Sequence, residues 1–219
     1  MSNFFCSSIG KKLLMSLAGL FLVVFLLVHL GINLLILGSD NGEAFRVAVE
    51  FMGSPVIKVM EIFLMAGFAI HIIWALILFV QNMMARPQGY AITNHSQTSF
   101  FSKYMIHTGA IIFTFLVLHF INFYFVKLGI VPIPEGADNK HDFYNMVINL
   151  FKQPVYSIIY VAFMAFLSFH MLHAFQSAFQ TLGINHKKYS PIIKYVGIAY
   201  SILVPLGFAI IPVYVYFWM

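Results

Sequence analysis

Five long stretches free of Asp, Glu, Lys and Arg constrain this chain of 219 residues more than any other feature: Leu13 to Gly38, Ile62 to Ala85, Tyr104 to Val126, Val155 to Ile184 and Tyr195 to Met219. A bilayer hydrocarbon core of about 30 Å takes about 20 helical residues, so each stretch is long enough to cross it. Backbone polar groups in lipid must be satisfied within their own segment, which makes each stretch a helix. The predicted fold is an all-α integral membrane bundle of five transmembrane helices in one domain, residues 1–219. With their flanks the spans lie at about 13–38, 56–85, 102–127, 155–184 and 192–217. Only 9% of the residues are charged, against roughly a quarter in soluble domains.

The charges that remain sort by side. Loops alternating from the N-terminus onward hold Lys11, Lys12, Arg86, Lys103, Lys187, Lys188 and Lys194 and no acid, whereas Asp40, Glu43, Glu50, Glu61, Glu135, Asp138 and Asp142 all fall on the other side, against five basic residues. By the positive-inside rule the N-terminus is expected in the cytoplasm and the C-terminus outside. The net charge of +5 is thereby a topology signal and does not point to nucleic acid. Lys11 and Lys12 before an apolar run resemble the start of a signal peptide. The run is too long and lacks a small-residue cleavage site, so a retained first helix is expected. A single cysteine, Cys6, excludes an internal disulfide and any cysteine-held iron–sulfur cluster or c-type haem attachment in this chain. Two outer loops, Glu43 to Phe51 and Asp142 to Phe151, mix apolar and polar positions and lead to Pro55 and Pro154. Short interfacial helices are expected there.

The two halves of the chain carry a weak repeat. Gly19 and Gly109 precede His29 and His119 by ten residues in the first and third spans. In the second and fourth, His71 and His170 follow Pro55 and Pro154 by sixteen residues, with Ala75 and Ala174 four residues later. Of nine histidines, these four and His173 lie deep in apolar spans, where an ionisable side chain needs a partner and marks a functional site by default. A lone one is readily explained as a hydrogen bond to a neighbouring helix. One on each of four consecutive spans, inside a repeat, is not.

Counting residues at about 1.5 Å of rise each puts His29 and His119 roughly 12 to 16 Å below the outer end and His71 and His170 roughly 24 Å below it. Two facing imidazoles suit a six-coordinate haem iron. Zinc takes three or four ligands, with cysteine or carboxylate commonly among them. Two bis-histidine b haems at two depths are expected, forming an electron relay across the bilayer. Filled axial positions leave neither iron a place for oxygen or substrate. Glu61 is the one acid within the spans, so a carboxylate-driven transporter is poorly supported.

The motif set resembles the five-helix, di-haem cytochrome b membrane anchors of succinate:menaquinone oxidoreductases and quinol:fumarate reductases. The resemblance covers nearly the whole chain: Ser16, Gly19, His29 and Asn33 in span one, His71 in span two, Gly109 to His119 in span three, and Ser168-Phe169-His170 running to Leu182-Gly183 in span four. It implies that His29 and His119 hold the haem distal to the catalytic subunits, and that His71 and His170 hold the proximal one. It also implies menaquinone as substrate, an iron–sulfur and a flavoprotein subunit on the cytoplasmic face, and a bacterial cytoplasmic membrane. Ser16 matches a serine near the proximal propionates. Lys103, Lys187 and Lys188 are candidates for pairing those propionates or docking the partner, or are solvated anchors. Glu50 and Glu61 are candidates for quinol protons near the outer haem. His170 and His173 compete as the span-four ligand: the spacing from Pro154 favours His170, leaving His173 beside the haem or a propionate. Some fumarate reductases of the family carry a proton-conducting glutamate two residues before that ligand, and here the position is Ser168. The alternatives are a cytochrome b of a hydrogenase or formate dehydrogenase, and a haem-free multi-pass transporter.

Overall fold

The computed structural model describes residues 7–84, 104–184 and 186–219. Cys6, Arg86 and the candidate Lys103 lie outside them. The chain opens with α1 (Ser8–Leu34), carried on by a 3-10 turn (Leu35–Leu37), and continues with α2 (Glu43–Met52), α3 (Pro55–Met84) and α4 (Met105–Lys127). It ends with α5 (Phe143–Phe151), α6 (Pro154–Thr181) and α7 (Tyr189–Trp218), and no strand occurs among the described residues. Five of these helices, α1, α3, α4, α6 and α7, are long and apolar enough to cross a membrane.

α1, α3 and α7 begin ahead of the charge-free stretches that announced them. α1 begins at Ser8 because the Ser7 hydroxyl accepts the Gly10 N–H at 3.0 Å and caps the first turn. Lys11 is carried inside the helix, its ammonium 5.9 Å from the centre of the Trp74 ring, so a long cationic side chain can accompany a spanning helix by reaching sideways. α7 likewise starts at Tyr189 and takes Lys194 into its exposed first turns. α6 stops where the Ile184 N–H reaches the Phe179 carbonyl and the Gly183 N–H the Gln180 carbonyl. That termination needs a left-handed residue after the cap, and Gly183 supplies it at φ 78°.

Both short outer helices exist and are pinned to each other. Asp40 receives the Gly42 and Ala44 N–H groups at the start of α2, and Asp142 caps α5. Between them the Arg46 guanidinium lies 4.1 Å from the centre of the Tyr144 ring, a cation–π contact. Their apolar sides complete the main core, in which Phe45, Met146, Val147 and Phe151 meet Ile36, Val126 and Val215. The tightest packing therefore sits at the end of the bundle covered by α2 and α5.

Along the spans the packing is uneven. α6 lies against α7 over most of its length, α1 lies against α3, and α4 lies against α6. α1 also touches α6 and α7, whereas α3 has no extensive backbone contact with α4 or α6. Tyr200 ties α7 to α1 by donating its hydroxyl to the Val23 carbonyl at 2.5 Å. The result is two helix pairs, α1 with α3 and α4 with α6, facing each other across a seam bridged mainly by side chains. Outward faces present Val24, Ile62, Phe63 and Leu203, a surface suited to lipid.

Candidate functional site

The seam is where four of the five deep histidines meet. His29 from α1 and His119 from α4 stand with ring centres 5.9 Å apart and planes at 85°. His71 from α3 and His170 from α6 stand 6.5 Å apart at 81°. Each couple takes one ring from each helix pair, and the partners are those that the depth count matched. It is His170, not His173, whose ring faces His71; His173 lies nearly one turn further along α6, partly buried.

The two couples occupy different rungs. A Cβ built on Gly19 would lie 3.3 Å from His71 Cε1, and one on Gly109 would lie 3.5 Å from His170 Cε1. Each inner ring is thus seated on a glycine of the opposite-numbered span, and those glycines precede His29 and His119 by ten residues. Ten residues of α-helix rise about 15 Å. Both α1 and α4 therefore give the same separation between rungs, wider than the roughly 8 to 12 Å that counting from the loops implied.

The surroundings of the rungs differ. The outer rings sit among aromatics: Phe25 stacks on His29 at 5.2 Å and 17°, Phe208 lies 5.6 Å from it, and Phe123 lies 5.2 Å from His119. The inner rings have glycine and polar neighbours. The Thr108 hydroxyl is 3.3 Å from His170 Nδ1, the backbone of Met105 faces the same ring, and that of Met15 faces His71. His71 Nδ1 does not complete a hydrogen bond, and neither does His119 Nδ1, although both atoms are buried.

α4 changes its winding directly after His119. Residues Phe120–Tyr124 form a π turn, a local widening frequently found at functional sites. Within it Asn122 donates to the Tyr160 hydroxyl at 2.9 Å, and Tyr160 also lies 6.4 Å from His119. No apolar period or proline in the sequence marks this turn. Thr108, Tyr160 and Phe25 were equally invisible there, because each matters only through a neighbour on another helix.

The donor set fits a haem iron better than another metal. Two metal–imidazole bonds of about 2 Å each, with a ring radius added on either side, put the ring centres about 6 Å apart, as both couples have them. Among the described residues no three His, Cys, Asp or Glu side chains come together, so each couple offers two nitrogen donors rather than a tetrahedral cage. The glycine seats, which leave open space beside the inner rings, are a feature a pair of ligating histidines would use.

The remaining candidates scatter. Ser16 is buried in α1, three residues before the glycine that seats His71. Lys187 is exposed and lines an open depression with Gln176, Ser190, Pro191, Lys194 and Tyr195, which no histidine borders. Glu50 is exposed on α2. Glu61 belongs to α3, where it is paired with Lys127 of α4 at 2.5 Å, and the Tyr124 hydroxyl also faces it. No protein-family model, curated protein or solved structure matches this chain, so the geometry carries the functional argument.

Proposed function

We propose that this chain is a di-haem cytochrome b membrane subunit that relays electrons between menaquinone and an iron–sulfur subunit on the cytoplasmic face, within a complex of the succinate:quinone oxidoreductase type. The observation that carries the reading is the meeting of four histidines from four spans in two couples at separate rungs. In this reading the membrane is a bacterial cytoplasmic membrane, the N-terminus is cytoplasmic, and a flavoprotein partner performs the succinate and fumarate chemistry.

Haem held between such couples would supply one-electron transfer. The chain's own residues hold and shield it. His29 with His119, and His71 with His170, would hold the iron; Gly19 and Gly109 give the inner rings their seats; Phe25, Phe123 and Phe208 would keep water from the outer ones. Lys187 and Lys194, unpaired on the cytoplasmic side, suit docking of an acidic partner surface. Glu61, with Tyr124 and Lys127, is the protonatable cluster of the outer half, and with Glu50 is the candidate for exchanging quinol protons.

The test is a reduced-minus-oxidised absorption spectrum of the purified chain together with its haem-to-protein ratio. Two b haems per chain are expected. A correctly inserted chain without a haem band overturns the reading.

A further inference from the structure

The hydrogen-bond arithmetic around His170 determines which of its nitrogens carries the proton. The Thr108 hydroxyl has a single hydrogen, and it lies 2.9 Å from the Met105 carbonyl, which can only accept. Its contact with His170 Nδ1 is longer, at 3.3 Å, so the hydrogen goes to Met105 and the Thr108 oxygen faces the ring as an acceptor. The Thr108 oxygen, as an acceptor on that side, places the ring proton on Nδ1, which leaves Nε2 as the basic nitrogen.

We infer that Thr108 is a positioning residue for His170: by accepting from Nδ1–H it holds the ring in the tautomer and orientation that let Nε2 bind a metal, and it makes that nitrogen the more basic. This rests on the reading of His71 and His170 as a haem-ligating couple. The device is local to one of four histidines. The outer couple has no hydroxyl partner on its rings, and His71 Nδ1 completes no hydrogen bond. Gly109 makes it possible, because its missing side chain lets the ring come close to α4 beside Thr108.

Outer-shell partners of this kind commonly change metal affinity by about 10- to 100-fold. A more basic ligand favours the oxidised iron, so losing the acceptor raises the midpoint of the inner haem. A tenfold change in the ratio of oxidised to reduced affinity is about 59 mV for a one-electron couple.

The experiment compares the wild-type chain, Thr108→Val and Thr108→Ser, measuring haem stoichiometry, the midpoint of each haem, and the rate of haem transfer to an apoprotein scavenger. The inner haem is identified as the one missing from His170→Ala. Expected for Thr108→Val is release of the inner haem at least tenfold faster with a raised midpoint, the outer haem being unmoved, while Thr108→Ser behaves as wild type. If Thr108→Val fails to insert, Thr108→Ala gives the same comparison. Two haems with unchanged midpoints and release rates in the valine or alanine variant overturn the role of Thr108 and leave the di-haem reading standing. A serine variant that behaves like valine overturns it too. Wild-type chain without haem sinks the underlying reading instead.

Discussion

The His71 ring rests on Gly19 so closely that a Cβ there would stand 3.3 Å from His71 Cε1, while the matching contact of His170 with Gly109 is 3.5 Å. That small difference has consequences. At Gly109 a methyl group meets an ordinary van der Waals contact, and Gly109→Ala should retain both haems. At Gly19 the ring must yield by a few tenths of an ångström, and a branched side chain leaves it nowhere to go. Gly19→Leu should lower the haem-to-protein ratio from two to one, keeping the outer haem. A leucine variant that retains two haems with wild-type spectra would show that the seat is not needed.

The five spans and the four histidines were legible because lipid imposes coarse rules. Length and the absence of charge announce a helix, and an imidazole at depth stands out from its apolar neighbours. The depth count grouped His29 with His119 and His71 with His170, and the same rings stand next to each other in the structure. What it missed depends on rotation about helix axes. Thr108 is an ordinary threonine until α6 brings His170 beside it, and the π turn after His119 re-phases the end of α4 without a compositional cue. Charge, too, misled at the boundaries. Lys11 and Lys194 ride inside helices that were expected to begin after or near them, since a long cationic side chain can bend toward water.

Glu61 and Lys127 form a cross-helix ion pair at 2.5 Å between α3 and α4, helices that have no extensive backbone contact. Both side chains are about one-fifth exposed, at 21% and 22%. The value of the pair lies between the roughly 0.2–1 kcal/mol of exposed pairs and the roughly 3–5 kcal/mol lost on breaking a fully buried one. Glu61→Gln and Lys127→Gln should each destabilise the chain in detergent, and the double variant should recover part of the loss. Additive losses in the double variant would mean that the two charges act independently. Should Glu61 also exchange quinol protons, Glu61→Gln lowers quinol turnover in the complex more than Lys127→Gln does at equal haem content.

Asp40 supplies a pH dependence with a definite sign. The Ala44 N–H bound to its carboxylate, followed by that of Gly42, holds its carboxyl below the ordinary value of 3.8 although the group is exposed. A depressed folded value means that the stabilisation is complete above the ordinary range and is lost as pH falls through the lower one. The start of α2 should therefore be indifferent to pH near neutrality and loosen only in acid below pH 3.8. Amide chemical shifts of Ala44 and Gly42 followed against pH in detergent will show it. An inflection at or above 3.8 contradicts the capping account.

The outer couple faces a rearrangement that the inner couple does not. Asn33 places its amide nitrogen 2.8 Å from the His29 carbonyl and 3.4 Å from His29 Nδ1. An amide NH2 can only donate, so in this arrangement Nδ1 is the acceptor and the ring proton sits on Nε2. For Nε2 to serve as a ligand the proton must move to Nδ1, and the Asn33 amide must turn its oxygen toward the ring and give up its bond to the carbonyl. His119 Nδ1 is buried without a hydrogen-bond partner, as is His71 Nδ1 in the inner couple, so the rungs differ at His29 and His170. At His170 the proton is already on Nδ1 and nothing has to turn. Haem should consequently fill the inner rung first. In chains with a single rung left, His119→Ala should bind haem about tenfold more tightly than His170→Ala, within the range that outer-shell partners command. Asn33→Ala, by freeing His29 Nδ1, should narrow that gap. Equal affinities in the two single-rung chains, or a gap that Asn33→Ala leaves untouched, would show that the Asn33 amide does not govern loading of the outer site.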